Sequence, residues 1–154
     1  MQALSCGRKS SEKGNEMFRS IVVGIDGSDP SKRAFDAACY IAGAFDSELH
    51  VVHALEGRDA EENNRRLHAD PSTPIIEKVI DAAEARATEL GVKLTSKTAG
   101  EGDPFDEVMT IVGLYNADLV VTGRRGLGGI SGLFAGSTSQ QIAKHAECAF
   151  LSIK

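Results

Sequence analysis

A glycine-rich stretch spanning residues 123–137 has the residue types and the spacing of a phosphate-binding loop. It follows an apolar run, residues 118–122, that predicts a buried strand, and it precedes a predicted helix over residues 138–145. Glycines let backbone N–H groups approach an anion closely, and a helix N-terminus adds unpaired donors and a partial positive charge. The spacing is Gly123, two residues, Gly126, nine residues, Gly136 and then Ser137. This pattern favours nucleotide phosphate binding over the alternative, a flexible connector whose glycines only permit tight turns.

The spacing, closed by a hydroxyl residue, resembles the ATP-binding signature of the universal stress protein family. Two further blocks carry the same resemblance. Residues 21–28 are similar to the family's first strand, which ends in an acidic residue and a small turn, and residues 145–154 are similar to its last helical turn and final strand. Ala149 stands where the family usually has a proline, which concerns the entry to the strand rather than nucleotide chemistry. The matching blocks bracket the chain from about Met17 to its last residue.

The resemblance implies a site for ATP with Mg or Mn, with contact residues distributed over three strand ends and the loop. Asp26 is expected to contact the adenosine part or a divalent ion, although Asp-Gly-Ser is also good turn chemistry. The backbone of Ala54 is expected to meet adenine, and Ser137 and Thr138 are expected to donate hydrogen bonds to phosphate. The predicted nucleotide-binding residues are Asp26, Ala54, Thr122, Gly123, Gly126, Gly136, Ser137 and Thr138. No residue is assigned a catalytic role.

Length and composition agree with one α/β domain. The chain has 154 residues and 42% hydrophobic content, enough for a sizeable core. Its net charge of −5 argues against nucleic acid or an anionic membrane as the main partner. No apolar run approaches the roughly 20 residues of a membrane span. The three cysteines are scattered, which favours a reducing, cytoplasmic compartment. Residues 1–19 are interpreted as a flexible extension and residues 20–154 as the domain.

Five β-type runs alternate with four helical patterns, which predicts an open parallel sheet with helices on both faces, a Rossmann-like fold. Prolines following Asp29, Thr73 and Asp103 mark helix starts with those residues as caps. The third run alternates apolar and polar residues and therefore fits an edge. The resemblance implies strand order 3-2-1-4-5. The predicted strands are Ser20–Ile25, Leu49–Leu55, Val92–Thr98, Asp118–Thr122 and Ala149–Ile153.

In such a sheet, ligands bind outside the carboxyl ends of the strands, where the order reverses between strands 1 and 4. Asp26 follows strand 1 and Gly123 follows strand 4, so two separate motifs converge on one crevice. His53 makes no ligand spacing with the other histidines, so it is interpreted as structural and no metal site is predicted. The polar stretch over residues 56–72 is predicted to be a loop, either a lid or a disordered segment.

The function expected from the resemblance is that of a homodimer, paired through its last strand, that holds ATP with slow or no hydrolysis and reports stress or energy state to unidentified protein partners. One alternative is an AMP-forming enzyme of a related fold, but its Ser-Gly-Gly-x-Asp-Ser loop is replaced here by the sequence of residues 26–31, Asp-Gly-Ser-Asp-Pro-Ser. A second alternative is a dimerisation module that binds no nucleotide. The intact glycine spacing argues against this alternative. A P-loop of the form G-x-x-x-x-G-K-[ST] is absent.

Overall fold

The computed structural model describes residues 17–55, 75–124 and 137–154. In these segments strands and helices alternate, as the sequence predicts. Their bounds are β1 Ser20–Ile25, α1 Asp29–Phe45, β2 Glu48–Leu55, α2 Ile75–Glu89, β3 Ser96–Glu101, α3 Pro104–Leu114, β4 Leu119–Gly123, α4 Ser137–His145 and β5 Ala149–Ile153. No helix in these segments has the length and hydropathy of a membrane span.

The five strands form one parallel sheet in the order β3-β2-β1-β4-β5, which confirms the predicted fold class. Helices α1 and α2 cover one face, where Phe35 and Ile80 pack with Ile21 of β1. Helices α3 and α4 cover the other face, where Val108 and Ile142 belong to the second apolar cluster. Because β1 and β4 are covered on both sides, their apolar residues are continuous rather than alternating.

Helix starts follow the proline signals, with one correction. Asp103 caps α3 as predicted, because its carboxylate accepts hydrogen bonds from the N–H groups of Phe105 and Asp106. The prediction that Asp29 caps α1 is wrong, since the cap is Ser28, whose Oγ accepts from the N–H of Ser31. Asp29 instead lies in the first turn, where its negative charge is favourable. The third predicted start, at residues 73–74, lies outside the described residues.

The third strand begins four residues later than predicted, at Ser96 instead of Val92. Val92 and Leu94 are partly buried against the core before the strand begins. The N–H of Val92 donates to the carbonyl of Ala87 in α2, so Val92 still belongs to the helix exit. The apolar alternation that suggested a strand therefore reflects a connection packed across the core. The predicted position of this strand at an edge is confirmed.

Asp118 fastens the amino end of the sheet, and its removal is expected to cost about 2 kcal/mol of stability. Its carboxylate oxygens accept hydrogen bonds from the N–H of Arg19, at 2.9 Å, and of Ser20, at 3.1 Å. Hydrogen bonds to a charged group contribute about 1.5–3 kcal/mol, and Asp118→Ala leaves both donors without this acceptor. Urea unfolding of Asp118→Ala and of Asp118→Asn, which keeps one oxygen, should show the larger loss for alanine. Equal stability of all three proteins would contradict the assignment.

Candidate functional site

Four of the eight residues predicted to bind nucleotide lie at the carboxyl ends of three neighbouring strands. Asp26 directly follows β1, Ala54 is the next-to-last residue of β2, and Thr122 and Gly123 end β4. The register pairs Ile25 with His53 and Gly24 with Thr122, so these residues lie within about two positions of one another along the sheet. Neighbouring strands are about 4.8 Å apart. The fold therefore brings these four residues to one edge of the sheet, at the reversal of strand order.

Asp26 is the first residue of a tight turn that leads from β1 into α1. Its Oδ1 accepts a hydrogen bond from the N–H of Ser28 at 2.9 Å, and its own N–H donates to Oγ of Ser31 at 3.0 Å. Gly27 has a φ of 83°, a conformation that side-chain-bearing residues rarely adopt. The turn role of Asp26 is confirmed, and the turn holds its partly exposed carboxylate at the end of β1.

Ser28 and Ser31 shape this end of the sheet, and the sequence reasoning did not single them out. Ser31 is 4% exposed, although it is a polar residue in the first turn of a helix. The signal that could have found both residues is their spacing after Asp26, since aspartate and serine two to five residues apart commonly bond to one another's backbone.

Gly123 has no room for a side chain, but the obstacle is protein backbone. A Cβ at this position would lie 2.7 Å from the nitrogen of Ser31 and 2.8 Å from the carbonyl carbon of Pro30. The end of β4 thus passes directly against the first turn of α1. The sequence motif predicts that this glycine lets phosphate approach the backbone. The structure shows that the glycine is also required for β4 to pack against α1.

Two polar side chains near these strand ends carry buried atoms with no hydrogen-bond partner among the described residues. Oγ1 of Thr122 is one of them, on a side chain that is only 6% exposed. Nε2 of His53 is the other, although Nδ1 of the same ring lies 2.6 Å from the carbonyl oxygen of Ile25. The interpretation of His53 as a structural histidine therefore accounts for one of its two ring nitrogens.

The remaining predicted site residues lie in or next to the glycine-rich loop. Gly126 and Gly136 fall outside the described residues. Ser137 and Thr138 are the first two residues of α4, so a helix begins where the sequence predicts one after the loop. Arg124 is exposed, and its N–H donates to the carbonyl of Ile153 at 2.6 Å, which extends the pairing of β4 with β5.

The donor set fits a divalent ion that arrives with phosphate. Among the described residues there is no group of three or more His, Cys, Asp or Glu side chains able to hold a metal ion. Mg²⁺ bound with a nucleotide usually takes one or two carboxylates and fills its other positions with phosphate oxygens and water. Asp26 supplies one such carboxylate at the crevice. One carboxylate at the strand ends fits a divalent ion whose other positions are filled by phosphate oxygens and water.

Two buried histidines on β2 make the stability of the fold sensitive to acid. Burial lowers the pKa of His50 and of His53, and the nearby carboxylates of Glu48 and Asp26 oppose this shift only in part. In the unfolded chain a histidine has a pKa of about 6.5, so the unfolded state binds more protons below that pH. The stability associated with the neutral rings is complete above about pH 6.5. It is lost as the pH falls from there towards the lower folded pKa values.

We therefore expect the free energy of unfolding to fall between pH 7.5 and pH 5.5, by at most about 1.4 kcal/mol per histidine for each pH unit below 6.5. Denaturant unfolding at the two pH values measures this change. A His50→Gln variant should show a smaller decrease than the unmodified protein, because one of the two buried rings is gone. A free energy of unfolding that is the same at both pH values would contradict the prediction.

Comparison with known proteins gives consistent matches. A family model described as "Universal stress protein family" matches residues 17–154. Universal stress protein YxiE of Bacillus subtilis is 30% identical, over 90% of this chain and 100% of the relative. A solved universal stress protein in complex with cAMP is 28% identical, with a TM-score of 0.69, over 90% of this chain and 98% of the other. A universal stress protein from Archaeoglobus fulgidus in complex with dAMP shares the fold, with 19% identity and a TM-score of 0.64 over 90% of this chain and 99% of the other.

Proposed function

The chain belongs to the universal stress protein family, and from that premise we propose that it binds an adenine nucleotide, ATP with Mg or Mn, at the carboxyl edge of its sheet. The observation that carries the proposal is the meeting of Asp26, Ala54 and the Thr122–Gly123 strand end at the reversal of strand order. Open parallel sheets bind their ligands at this place. The related structure with cAMP supports an adenine nucleotide as the class of ligand.

Each strand end has a distinct role in this proposal. The backbone of Ala54 hydrogen-bonds the adenine edge, and the carboxylate of Asp26 binds the ribose hydroxyls or the divalent ion. The hydroxyl of Thr122, which is buried and has no hydrogen-bond partner among the described side chains and backbone groups, is assigned to the ligand. Phosphates lie against the glycine loop and the first turn of α4, where the N–H groups of Ser137 and Thr138 face the negative charge.

The proposed biological role is that of a cytoplasmic homodimer that senses energy state or stress and passes it to protein partners. In this role ATP is a signal and is hydrolysed slowly or not at all. A fast phosphotransfer enzyme places a base next to the attacking group. Here the only site carboxylate that we assign, Asp26, is already bonded to the N–H of Ser28 in the turn.

cAMP is the second candidate ligand, because the related structure contains it. Its single cyclic phosphate carries one negative charge and does not need the whole glycine loop. The loop of this chain has the spacing for a longer phosphate chain, which favours ATP.

Calorimetric titration of the protein with ATP and with cAMP, each with and without MgCl₂, tests the proposal. We expect ATP to bind with a dissociation constant between about 1 μM and 1 mM and to bind more tightly with the metal. Tighter binding of cAMP would make the cyclic nucleotide the ligand, and binding of neither would leave a dimerisation module. Chromatography of the incubated nucleotide should show turnover far below the roughly 1–100 s⁻¹ of kinases. Rapid release of AMP would instead indicate the AMP-forming enzyme.

A further inference from the structure

We propose that His53 is a positioning residue for the nucleotide site, joining the end of β2 to the peptide group that carries Asp26. The inference rests on the proposed function, since it assigns a role to a residue that supports that same site. Nδ1 of His53 lies 2.6 Å from the carbonyl oxygen of Ile25. A carbonyl oxygen only accepts hydrogen bonds, so the ring proton is on Nδ1 and the lone pair is on Nε2.

The peptide group between Ile25 and Asp26 is held at both ends. His53 donates to its carbonyl oxygen, and its N–H, which belongs to Asp26, donates to Oγ of Ser31 at 3.0 Å. A peptide group is planar, so fixing the oxygen and the N–H fixes the orientation of the whole unit. The direction in which Asp26 leaves β1 therefore depends on a side chain of β2.

Strand pairing alone does not fix the position of Asp26. The ladder between β1 and β4 ends at the pair of Gly24 with Thr122, and the ladder between β1 and β2 ends at Ile25 with His53. Asp26 thus lies just past both ladders. The next residue of β2 after His53 is Ala54, so the same histidine is joined by one peptide bond to the second proposed contact residue.

Burial of His53 leaves one of its two ring nitrogens without a hydrogen bond. The side chain is 1% exposed, and its Nε2 has no hydrogen-bond partner in the described part of the chain. An apolar side chain would fill this position without leaving a buried acceptor that lacks a hydrogen bond. What the histidine adds is the hydrogen bond to Ile25, and burial lowers its pKa, which keeps the ring neutral.

His50 provides a matched control on the same strand. It is also fully buried, its Nδ1 is hydrogen-bonded to Oγ of Ser96 at 2.8 Å, and its Nε2 also has no hydrogen-bond partner among the described residues, although Oε2 of Glu48 lies 3.9 Å away. Its ring stacks on Tyr115, which follows α3 and packs with the second cluster, so it lies on the other face of the sheet from the α1–α2 cluster. Replacing either histidine with leucine removes a buried ring and one hydrogen bond, but only His53 touches the peptide group of Asp26.

The first experiment compares ATP binding by calorimetry in His53→Leu, His53→Asn and His50→Leu. We expect His53→Leu to bind about fivefold to tenfold more weakly, the middle to the upper end of the range that loss of one hydrogen bond gives. Asparagine offers an N–H near the place of Nδ1, so His53→Asn should recover affinity to within about threefold of the unmodified protein, and His50→Leu should stay within about twofold. Unchanged binding in His53→Leu, or an equal loss in His50→Leu, would overturn the proposal.

A second experiment needs no nucleotide. Ring ¹⁵N chemical shifts should show the proton of His53 on Nδ1, and the amide resonance of Asp26 should move in His53→Asn more than in His50→Leu. A proton on Nε2, or an Asp26 amide resonance that does not shift in His53→Asn, would refute the positioning role. This holds even if the leucine variant fails to fold. If the unmodified protein binds no adenine nucleotide while the NMR results hold, the proposed function fails and the hydrogen bond that positions Asp26 stands.

Discussion

Gly123→Ala is expected to lower the free energy of unfolding by about 1–3 kcal/mol, the usual cost of forcing an extra carbon into a closely packed place. The new methyl carbon would lie 2.7 Å from the nitrogen of Ser31 and 2.8 Å from the carbonyl carbon of Pro30. Backbone in the first turn of a helix cannot rotate away as a flexible side chain can. The end of β4 and α1 must therefore separate, which also disturbs Asp26 through its bond to Ser31. ATP affinity should fall by at least about tenfold.

Gly113 supplies the matched control for this variant, because a Cβ there would have no atom within 4 Å. It lies inside α3, where alanine is favoured over glycine by up to about 1 kcal/mol, so Gly113→Ala should be neutral or stabilising. Urea unfolding and calorimetry on both variants make the comparison. Full stability and full affinity in Gly123→Ala would contradict the packing argument.

Gly126→Val tests the loop motif separately and is expected to abolish ATP binding by keeping phosphate away from the backbone N–H groups.

Sequence patterns predicted those parts of the fold that depend on local signals. The continuous apolar run of β1 and the short apolar run of β5 gave both strands their observed bounds. The third strand was displaced because Val92 and Leu94 alternate with polar residues in a connection that covers the core. Alternation shows that one side of a segment is buried, and it does not distinguish a strand from a packed connection.

The site was predictable as a location and less so as a set of contacts. Topology alone places Asp26 and Gly123 at one edge once the strand order is given. The contact of Gly123 with Pro30 and Ser31 joins elements far apart in the chain, and no spacing rule reports it. The bond from His53 to Ile25 is of the same kind, since it spans 28 positions and depends on the register of two strands.

The protein is expected to form a homodimer through the outer edge of β5, and Ser152→Pro should make it a monomer that remains folded. The N–H of Ala149 and the carbonyl of Ile153 both bond towards β4. Backbone groups alternate direction along a strand, so those of Ser152 face away from β4 and are available to a second copy. Proline removes the outward N–H and is tolerated on an edge strand.

The side chains of β5 give the edge its tendency to pair. Phe150, Leu151 and Ile153 are only partly buried within one chain, and an uncovered apolar edge is prone to aggregation unless a partner covers it. A two-fold axis lets β5 pair with its own copy. Leu151→Asp should also yield monomer or insoluble protein, but Leu151 contacts the core, so Ser152→Pro is the cleaner variant.

Sedimentation measures the assembly state, and the opposite edge of the sheet supplies the control. Ala99→Glu adds a charge to an exposed position of β3 and should leave the dimer intact. Val92, which the sequence placed on that edge, is unsuitable because it lies before β3 and packs on the core. A paired apolar edge should hold two copies together at about tens of micromolar. Sedimentation of the unmodified protein as a monomer at that concentration would remove β5 as the pairing surface, and a monomeric Ala99→Glu would move the interface to β3.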